Sequence, residues 1–202
     1  MTEQVGKKKV VLATRNAGKV REMNRLFAEL DWEVVSVADF PDAPEVEEDG
    51  ATFEANAVKK AKTIAEFLQL PAIGDDSGLE VDALHGEPGV YSARFAGENA
   101  TDEENYRKLL DKLSDVPLEK RTARFRCTLA YVEPGQEPVI ATGTCEGAIA
   151  HTPVGTNGFG YDPVFFLPSR LKHMAEISPE EKNQISHRAH AMRELLDKLR
   201  ER

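Results

Sequence analysis

The stretch Lys9–Lys19, KVVLATRNAGK, joins an apolar run to a polar turn and then to the start of a helical pattern. Lys9–Ala13 has the composition of a short buried strand. Beyond the turn, apolar residues recur at the spacing of one helix face: Val20, Met23, Leu26, Phe27 and Leu30. The beginning of the chain therefore predicts a strand, a tight turn and a helix.

The same alternation of strands and helices continues along the chain. The following elements are a strand at Glu33–Val37, an exposed acidic loop at 38–50, a helix at Thr52–Leu68 and a short strand at Pro71–Gly74. Later come a capped helix from Thr101, a hairpin of Arg124–Val132 with Val139–Glu146, and a helix with an N-cap at Ser178. Alternating helices and strands followed by a hairpin predict an α/β fold with a mixed sheet flanked by helices.

Length and composition describe an ordinary globular protein. The 202 residues, 41% hydrophobic and 30% charged, fit one domain over residues 1–202 with room for two lobes. The net charge of −9 argues against a nucleic-acid polymer as partner, because duplex binding depends on Lys and Arg. Cys127 and Cys145 lack metal-ligand spacing, and we expect buried free thiols rather than a disulfide. With no membrane-spanning run and no signal-peptide core, the expected location is cytoplasmic.

Two adjacent acids stand out in Gly74–Leu79, GDDSGL. The carboxylates of Asp75 and Asp76 repel each other unless a positive group lies beside them. Mg²⁺ takes oxygen ligands and bridges readily to phosphates, so it is the natural candidate. The alternative is a solvated turn, but that alternative does not explain four other clusters that suit a nucleoside triphosphate.

The first two of these clusters precede the acid pair. Thr14–Lys19 lies at a predicted helix start, where unpaired backbone N–H groups favour anions and Lys19 adds a positive charge. An ordinary capped turn is the competing interpretation. The acidic run Glu45–Asp49 could supply a further carboxylate to Mg²⁺, or it could be a solvated loop.

The other two clusters lie near the end of the chain. Phe159–Asp162, FGYD, places two aromatic residues in a glycine-rich loop, which suits stacking on a base, although aromatic residues are also typical of a core. Lys182–Arg188 contains three potential cations. On one helix Arg188 would point away from Lys182, whereas a break at Ser186 would bring them to the same side. A basic helix surface is the alternative.

Together these residues resemble the inosine triphosphate pyrophosphatase family. The motifs occur in the family's order from about Lys9 to Leu199: TRNAGK (Thr14–Lys19), FEANAVKKA (Phe53–Ala61), GDDSGLEVDAL (Gly74–Leu84), GVYSARFAG (Gly89–Gly97), GFGYDPVF (Gly158–Phe165) and EKNQISHRA (Glu181–Ala189). The resemblance implies a two-lobed α/β fold with a long mixed sheet, an active cleft between the lobes and a homodimer. It also implies Mg²⁺-dependent hydrolysis of dITP, ITP or XTP to the monophosphate and pyrophosphate.

The resemblance also implies roles for individual residues. Asp76 matches the family's proton acceptor and metal-associated aspartate, and Glu48 matches its metal-binding glutamate, with Glu47 as the alternative. The matched substrate contacts are Thr14, Arg15, Asn16, Ala17, Gly18, Lys19, Ser77, Phe159, Gly160, Tyr161, Asp162, Lys182, His187 and Arg188. Arg15 stands where many relatives carry glycine.

Two other functions remain open at the level of sequence. A nucleotide-binding module without turnover is disfavoured by Asp75 and Asp76, since a pure binder has little need of an acid that activates water. An enzyme that acts on damaged bases in DNA fits poorly with the acidic net charge. Assay of pyrophosphate release from dITP with and without Mg²⁺ separates the pyrophosphatase from the binding module.

Overall fold

The computed structural model describes residues 7–28, 30 and 32–202. Its strands are β1 Lys8–Leu12, β2 Trp32–Ser36, β3 Ala72–Val81, β4 Thr122–Val132, β5 Val139–Ile149, β6 Phe165–Leu167 and β7 Lys172–His173. Its α-helices are α1 Ala17–Phe27, α2 Phe53–Leu68, α3 Asp102–Lys112, α4 Pro179–Ile185 and α5 His187–Arg200.

The strands of this part of the chain form a seven-stranded sheet in the order β2-β1-β3-β4-β5-β6-β7. β1 pairs in parallel with β2 and β3, with Val10 opposite Val34 in the first pair. β6 pairs antiparallel with β5 and β7. The sheet is therefore mixed, and the predicted α/β fold is confirmed.

Three predicted element ends are wrong by three residues or more. β5 ends at Ile149 rather than at Glu146. The strand expected to end at Gly74 continues as β3 to Val81, so Asp75 and Asp76 lie inside it. Charged side chains fit there because each meets a polar partner, as described below. α1 ends at Phe27, before the predicted Leu30.

One compact unit of the chain comprises the described residues up to Asp76, Thr128–Ala141 and Met192–Arg202. Its buried core is Val11, Ala13, Val37, Ala43, Ala57, Ala61, Ile64, Ala65, Ala72, Ala130 and Val132. The side chains that α2 contributes to this core are Ala57, Ala61, Ile64 and Ala65, and these small alanines let its backbone approach β3 closely. A Cβ atom at Gly74 would lie 2.0 Å from the carbonyl oxygen of Ala57, which leaves room only for glycine.

The other compact unit comprises Ser77–Cys127 and Thr142–Ala191. Its buried core is Leu79, Val81, Leu109, Leu113, Ala123, Phe125, Cys145, Ile149, Tyr161, Val164, Phe165, Leu167, Met174 and Ile177. The rings of Phe125 and Phe165 lie 4.4 Å apart between centroids. Cys127 and Cys145 are both buried and are not joined by a disulfide, as expected. No helix within residues 7–28 and 32–202 is long and apolar enough to cross a membrane.

Candidate active site

The two aspartates of β3 are buried and have different partners. Asp75 is 2% exposed and Asp76 is 3% exposed. Oδ1 of Asp75 lies 2.6 Å from Nζ of Lys19, whereas Oδ2 of Asp76 accepts a hydrogen bond of 2.9 Å from Nδ2 of Asn56. Successive side chains of a strand point in opposite directions, which allows neighbouring acids to reach different groups. The alternative of a solvated turn is therefore wrong.

The turn before α1 is a capped helix start that also presents a cation. Oδ1 of Asn16 accepts the N–H of Lys19 at 3.1 Å, and Oγ1 of Thr14 accepts the N–H of Asn16 at 3.2 Å. The cap fixes the first turn, and the side chain of Lys19 extends to Asp75. Ala17 and Gly18 form the start of the helix. Arg15 donates from Nη2 to the carbonyl oxygen of Ala43 at 3.0 Å, so it ties the turn to the loop that follows β2.

The acidic loop contributes Glu48 to the same group of residues. Nζ of Lys60, from α2, donates both to Oε1 of Glu48 and to the carbonyl oxygen of Asp75. Burial alone would raise the pKa of Glu48, but the charge and hydrogen bond of Lys60 outweigh it and lower that pKa. Glu47 is exposed. Of the two glutamates, Glu48 is therefore the one that shares a cation with the aspartates.

The electrostatic balance at Asp76 differs from that at Glu48. Burial raises the pKa of the Asp76 carboxyl to about 6, although the charges of Lys19 and Lys60 act to lower it. The charge of Glu48 adds to the increase. Asp76 thus gains or loses its proton close to neutral pH, whereas Glu48 stays ionised.

The donor set at Asp76 and Glu48 fits Mg²⁺. Both donors are carboxylates, and the charge of Glu48 raises the pKa of Asp76. Within the described ranges no group of three or more His, Cys, Asp or Glu side chains is arranged to hold a metal ion. Mg²⁺ is commonly held by one or two carboxylates, with water and substrate phosphates as its other ligands, so two carboxylates suffice.

In the second unit, the loop after β5 is organised around Asp162. Oδ2 of this carboxylate lies 2.7 Å from Nζ of Lys182 and accepts the N–H of Phe159 at 3.2 Å. The ammonium of Lys182 also lies 4.8 Å from the centroid of the Phe159 ring, which is a cation–π contact. Phe159, Asp162 and Lys182 thus form one cluster.

The two aromatic residues of this loop have different environments. Tyr161 is buried in the core of the unit, and its hydroxyl donates to the carbonyl oxygen of Ser92 at 2.6 Å. Phe159 is partly exposed. For Tyr161 the structure supports the alternative of a core residue, whereas Phe159 is only partly buried.

The basic cluster contains the helix break that the sequence suggested. α4 ends at Ile185, and Oγ of Ser186 accepts the N–H of Ala189 at 3.1 Å, which caps α5. His187 stacks on Phe125 with ring centroids 4.9 Å apart. Arg188 is 1% exposed and donates from Nη2 to Oγ of Ser77 at 3.1 Å. The alternative of a basic helix surface is wrong, because these side chains are buried.

Sequence reasoning assigned no role to two residues of the first group, Asn56 and Lys60. Both belong to the motif FEANAVKKA and both are buried on α2. They are four residues apart, so they share a helix face. A polar pair at this spacing beside the apolar stripe through Ala57 and Ala61 was the signal that could have identified them.

Comparisons with known proteins agree with the motifs. The model of the Ham1 family matches residues 10–198. The dITP/XTP pyrophosphatase of Geobacillus kaustophilus is 58% identical over 93% of this chain and 92% of its own length, and that of Geobacter sulfurreducens is 53% identical over 95% and 96%.

Solved structures give the same result. A HAM1 protein from Coxiella burnetii has a TM-score of 0.87 and 43% identity over 96% of this chain and 100% of that chain. A nucleoside-triphosphatase, dITP/XTP pyrophosphatase, from Mycobacterium abscessus has a TM-score of 0.75 and 44% identity over 95% and 99%. The family match begins in β1 and ends in α5. This chain belongs to the Ham1 family, which confirms the resemblance drawn from its six motifs.

Proposed function

We propose that the protein hydrolyses deaminated purine nucleoside triphosphates (dITP, ITP and XTP) to the monophosphate and pyrophosphate. The observation that carries the proposal is the buried acid pair of β3, in which Asp75 contacts Lys19 and Asp76 contacts Asn56. Buried carboxylates with dedicated partners are costly to maintain and typical of a functional site. The names of the family relatives supply the substrate class.

Thr14–Lys19 binds the triphosphate in this proposal. The segment lies at the N-terminus of an eleven-residue helix, where backbone N–H groups and the helix dipole favour anions. Lys19 keeps 14% of its side chain exposed and carries the compensating charge. These groups neutralise the charge that grows on the departing pyrophosphate.

Asp76 is the general base that orients a water molecule on the α-phosphorus and accepts its proton. A general base is most effective when its pKa lies near the working pH, and burial raises the pKa of Asp76 to about 6. The hydrogen bond from Asn56 fixes the orientation of the carboxylate.

Asp76 and Glu48 would hold Mg²⁺. When bound, the ion supplies positive charge beside the phosphates and lowers the pKa of its own water. Lys60 holds Glu48 and the Asp75 carbonyl in place, so the acidic loop stays beside β3.

The second unit recognises the base. Arg188 and His187 donate hydrogen bonds to the 6-oxygen of hypoxanthine or xanthine, while Phe159 offers its ring for stacking and Ser77, Gly160 and Lys182 complete the contacts. Arginine has donors but no acceptor, so it leaves the 6-amino group of adenine unpaired. An unpaired polar group in a buried site can discriminate by about 10⁴-fold.

In the cell, this activity would cleanse the nucleotide pool of the cytoplasm, with the protein acting as a homodimer.

The test is pyrophosphate release from a panel of dITP, ITP, XTP, dGTP, GTP and ATP at one concentration. Each substrate is assayed with Mg²⁺ and again with EDTA. We expect dITP, ITP and XTP to be hydrolysed at least about 100-fold faster than ATP, and only with Mg²⁺. Tight binding of dITP without pyrophosphate release would instead identify a nucleotide-binding module.

A further inference from the structure

The segment Gly158–Asp162, called here the aromatic loop, has a backbone that needs external support. Gly158 and Gly160 both have positive φ angles, +75° and +63°. Glycine loses more conformational freedom on ordering than any other residue. A loop with two such positions in three residues therefore presents Phe159 reproducibly only if other groups fix it.

Several side-chain hydrogen bonds fix the aromatic loop. Asp162 accepts the N–H of Phe159 within the loop and a hydrogen bond from Nζ of Lys182, and the hydroxyl of Tyr161 donates to the carbonyl oxygen of Ser92. A further bond comes from the start of α3: Oδ2 of Asp102 accepts the N–H of Gly160 at 2.8 Å. Asp102 lies 58 positions before Gly160 in the chain, so this bond ties two distant segments together.

Asp102 is a rigid attachment point because the start of α3 is itself anchored. Thr101 and Glu104 form a capping box that fixes the first turn of the helix. One turn on, Asn105 accepts the N–H of Ala96 at 2.8 Å and donates to the carbonyl oxygen of Ala93 at 3.1 Å. The helix start is thus tied to the 3-10 turn Gly89–Arg94 and the residues after it.

We propose that Asp102 is a positioning residue for substrate binding, acting through the backbone N–H of Gly160. It holds the aromatic loop so that Phe159 is already in place beside Lys182 when the base arrives. The inference rests on the proposed function, because it assumes that Phe159 contacts the substrate. Without the bond from Asp102, binding must also order the loop, and that ordering weakens affinity.

The consequence is a change in KM rather than kcat. Asp102 is exposed at the start of α3 and its carboxylate bonds to the aromatic loop, so we expect its loss to leave the hydrolytic step intact. Loss of one hydrogen bond of about 1 kcal/mol corresponds to roughly a fivefold rise in KM for dITP.

Three variants of the full chain test the inference. Asp102→Ala removes both the acceptor and the negative charge in the first turn of α3. Asp102→Asn removes the charge but keeps an oxygen that can accept the Gly160 N–H. Glu103→Ala is the matched control, since Glu103 is also an exposed acid in that turn but pairs with Arg107.

Two measurements are made on each variant: KM and kcat for dITP, and hydrogen–deuterium exchange of the peptide that contains Gly160. We expect Asp102→Ala to raise KM about fivefold, to change kcat less than about twofold and to speed exchange in the aromatic loop. Asp102→Asn and Glu103→Ala should stay within about twofold of the unmodified protein in both measurements.

The outcomes separate this inference from its premise. Equal effects of Asp102→Ala and Asp102→Asn, or of Asp102→Ala and Glu103→Ala, would show that helix charge alone is responsible and would overturn it. Unchanged exchange of the aromatic loop in Asp102→Ala would overturn it as well. Failure of the unmodified protein to hydrolyse dITP refutes the proposed function, while the exchange experiment still reports whether Asp102 holds the loop.

Discussion

At Asp76 burial and charge oppose each other. The carboxyl is almost completely buried, and burial favours its neutral form more than Lys19 and Lys60 favour its charged form. A side chain in this position lowers the stability of the protein once it ionises, because the unfolded chain ionises without that penalty. The acid therefore serves catalysis in the proposed mechanism at a measurable cost in free energy of unfolding.

The first prediction concerns the pH dependence of stability in the substitution Asp76→Asn, measured in EDTA. The ordinary pKa is 3.8 and the folded value is about 6. Below pH 3.8 both states are protonated, and between pH 3.8 and 6 stability falls as pH rises because the unfolded state ionises first. At pH 8 we expect Asp76→Asn to be more stable than the unmodified protein by about 2–3 kcal/mol, since one pKa unit is worth about 1.4 kcal/mol.

Thermal and urea unfolding at pH 4, 5, 6, 7 and 8 measure this difference. The gain in stability should shrink toward pH 4, where Asp76 is protonated in the folded state. A gain that is the same at every pH would mean that the substitution acts by packing and not by removing a charge. Asp75→Asn is a useful comparison, because Asp75 contacts Lys19 and its loss should destabilise the protein.

The second prediction separates the two glutamates of the acidic loop. Glu48 shares Lys60 with the carbonyl of Asp75, whereas Glu47 is exposed. Glu48→Gln should therefore raise the Mg²⁺ concentration that gives half-maximal pyrophosphate release by at least about tenfold, and Glu47→Gln should leave it unchanged. A Mg²⁺ titration at fixed dITP gives both values. An equal response of the two variants would remove Glu48 from the metal site.

At the scale of the elements, the packing of α2 on β3 decides where the acids lie. The small residues Ala57 and Ala61 let the helix approach the strand. Because Gly74 has no Cβ atom, the carbonyl oxygen of Ala57 can lie close to its α-carbon. The close approach brings Asn56 to Asp76 and Lys60 to the carbonyl of Asp75. Gly74 therefore sets both the distance between α2 and β3 and the positions of Asn56 and Lys60 beside the acids.

The third prediction is that Gly74→Ala is far more harmful than Gly135→Ala. The new Cβ at position 74 would lie 2.0 Å from a backbone oxygen that cannot move aside independently. We expect a loss of more than about 3 kcal/mol in free energy of unfolding, or failure to fold. At Gly135, where φ is +74° but nothing lies within 4 Å of a Cβ, backbone strain alone should cost about 1 kcal/mol. Urea unfolding of both variants compares them, and similar losses would contradict the packing argument.

The sequence predicted the helices and strands better than it predicted which side chains contact one another. Apolar periodicity and caps located the helices, including the break at Ser186, because these signals are local. The continuation of β3 through Asp75 and Asp76 was missed, since charged residues argue against a strand unless their partners are known. Those partners are Lys19 and Asn56, which lie 56 and 20 positions away in the chain, and no local pattern reveals contacts over such separations.

At the scale of the whole molecule, an acidic net charge coexists with cations in the candidate site. The chain carries −9, yet the groups proposed to meet the substrate include Lys19, Lys182 and Arg188. Each of these cations has an acidic or hydroxyl partner in the structure: Asp75, Asp162 and Ser77, respectively. An acidic protein can thus bind a triphosphate through cations that are held in place, while its acidic surface discourages binding of nucleic-acid polymers.

The chain passes repeatedly between its two compact units. β3 leaves the first unit between Asp76 and Ser77, and β4, β5 and α5 also cross at single peptide bonds. A continuous strand that belongs to two units is difficult to unfold in only one of them. We therefore expect one cooperative transition, as the prediction of a single domain requires.

The last prediction uses one probe in each unit. Trp32 is the only tryptophan of the chain and belongs to the first unit, whereas Cys127 and Cys145 belong to the second. Burial raises the pKa of the Cys145 thiol to about 11, so this thiol stays protonated and reacts only after unfolding. Trp32 fluorescence and thiol labelling should give the same urea midpoint.

Ile149→Val, in the core of the second unit, should lower both midpoints together by roughly 0.5 M, given a cost of about 1 kcal/mol. A midpoint that moves for the thiols but not for Trp32 would show two independently stable domains.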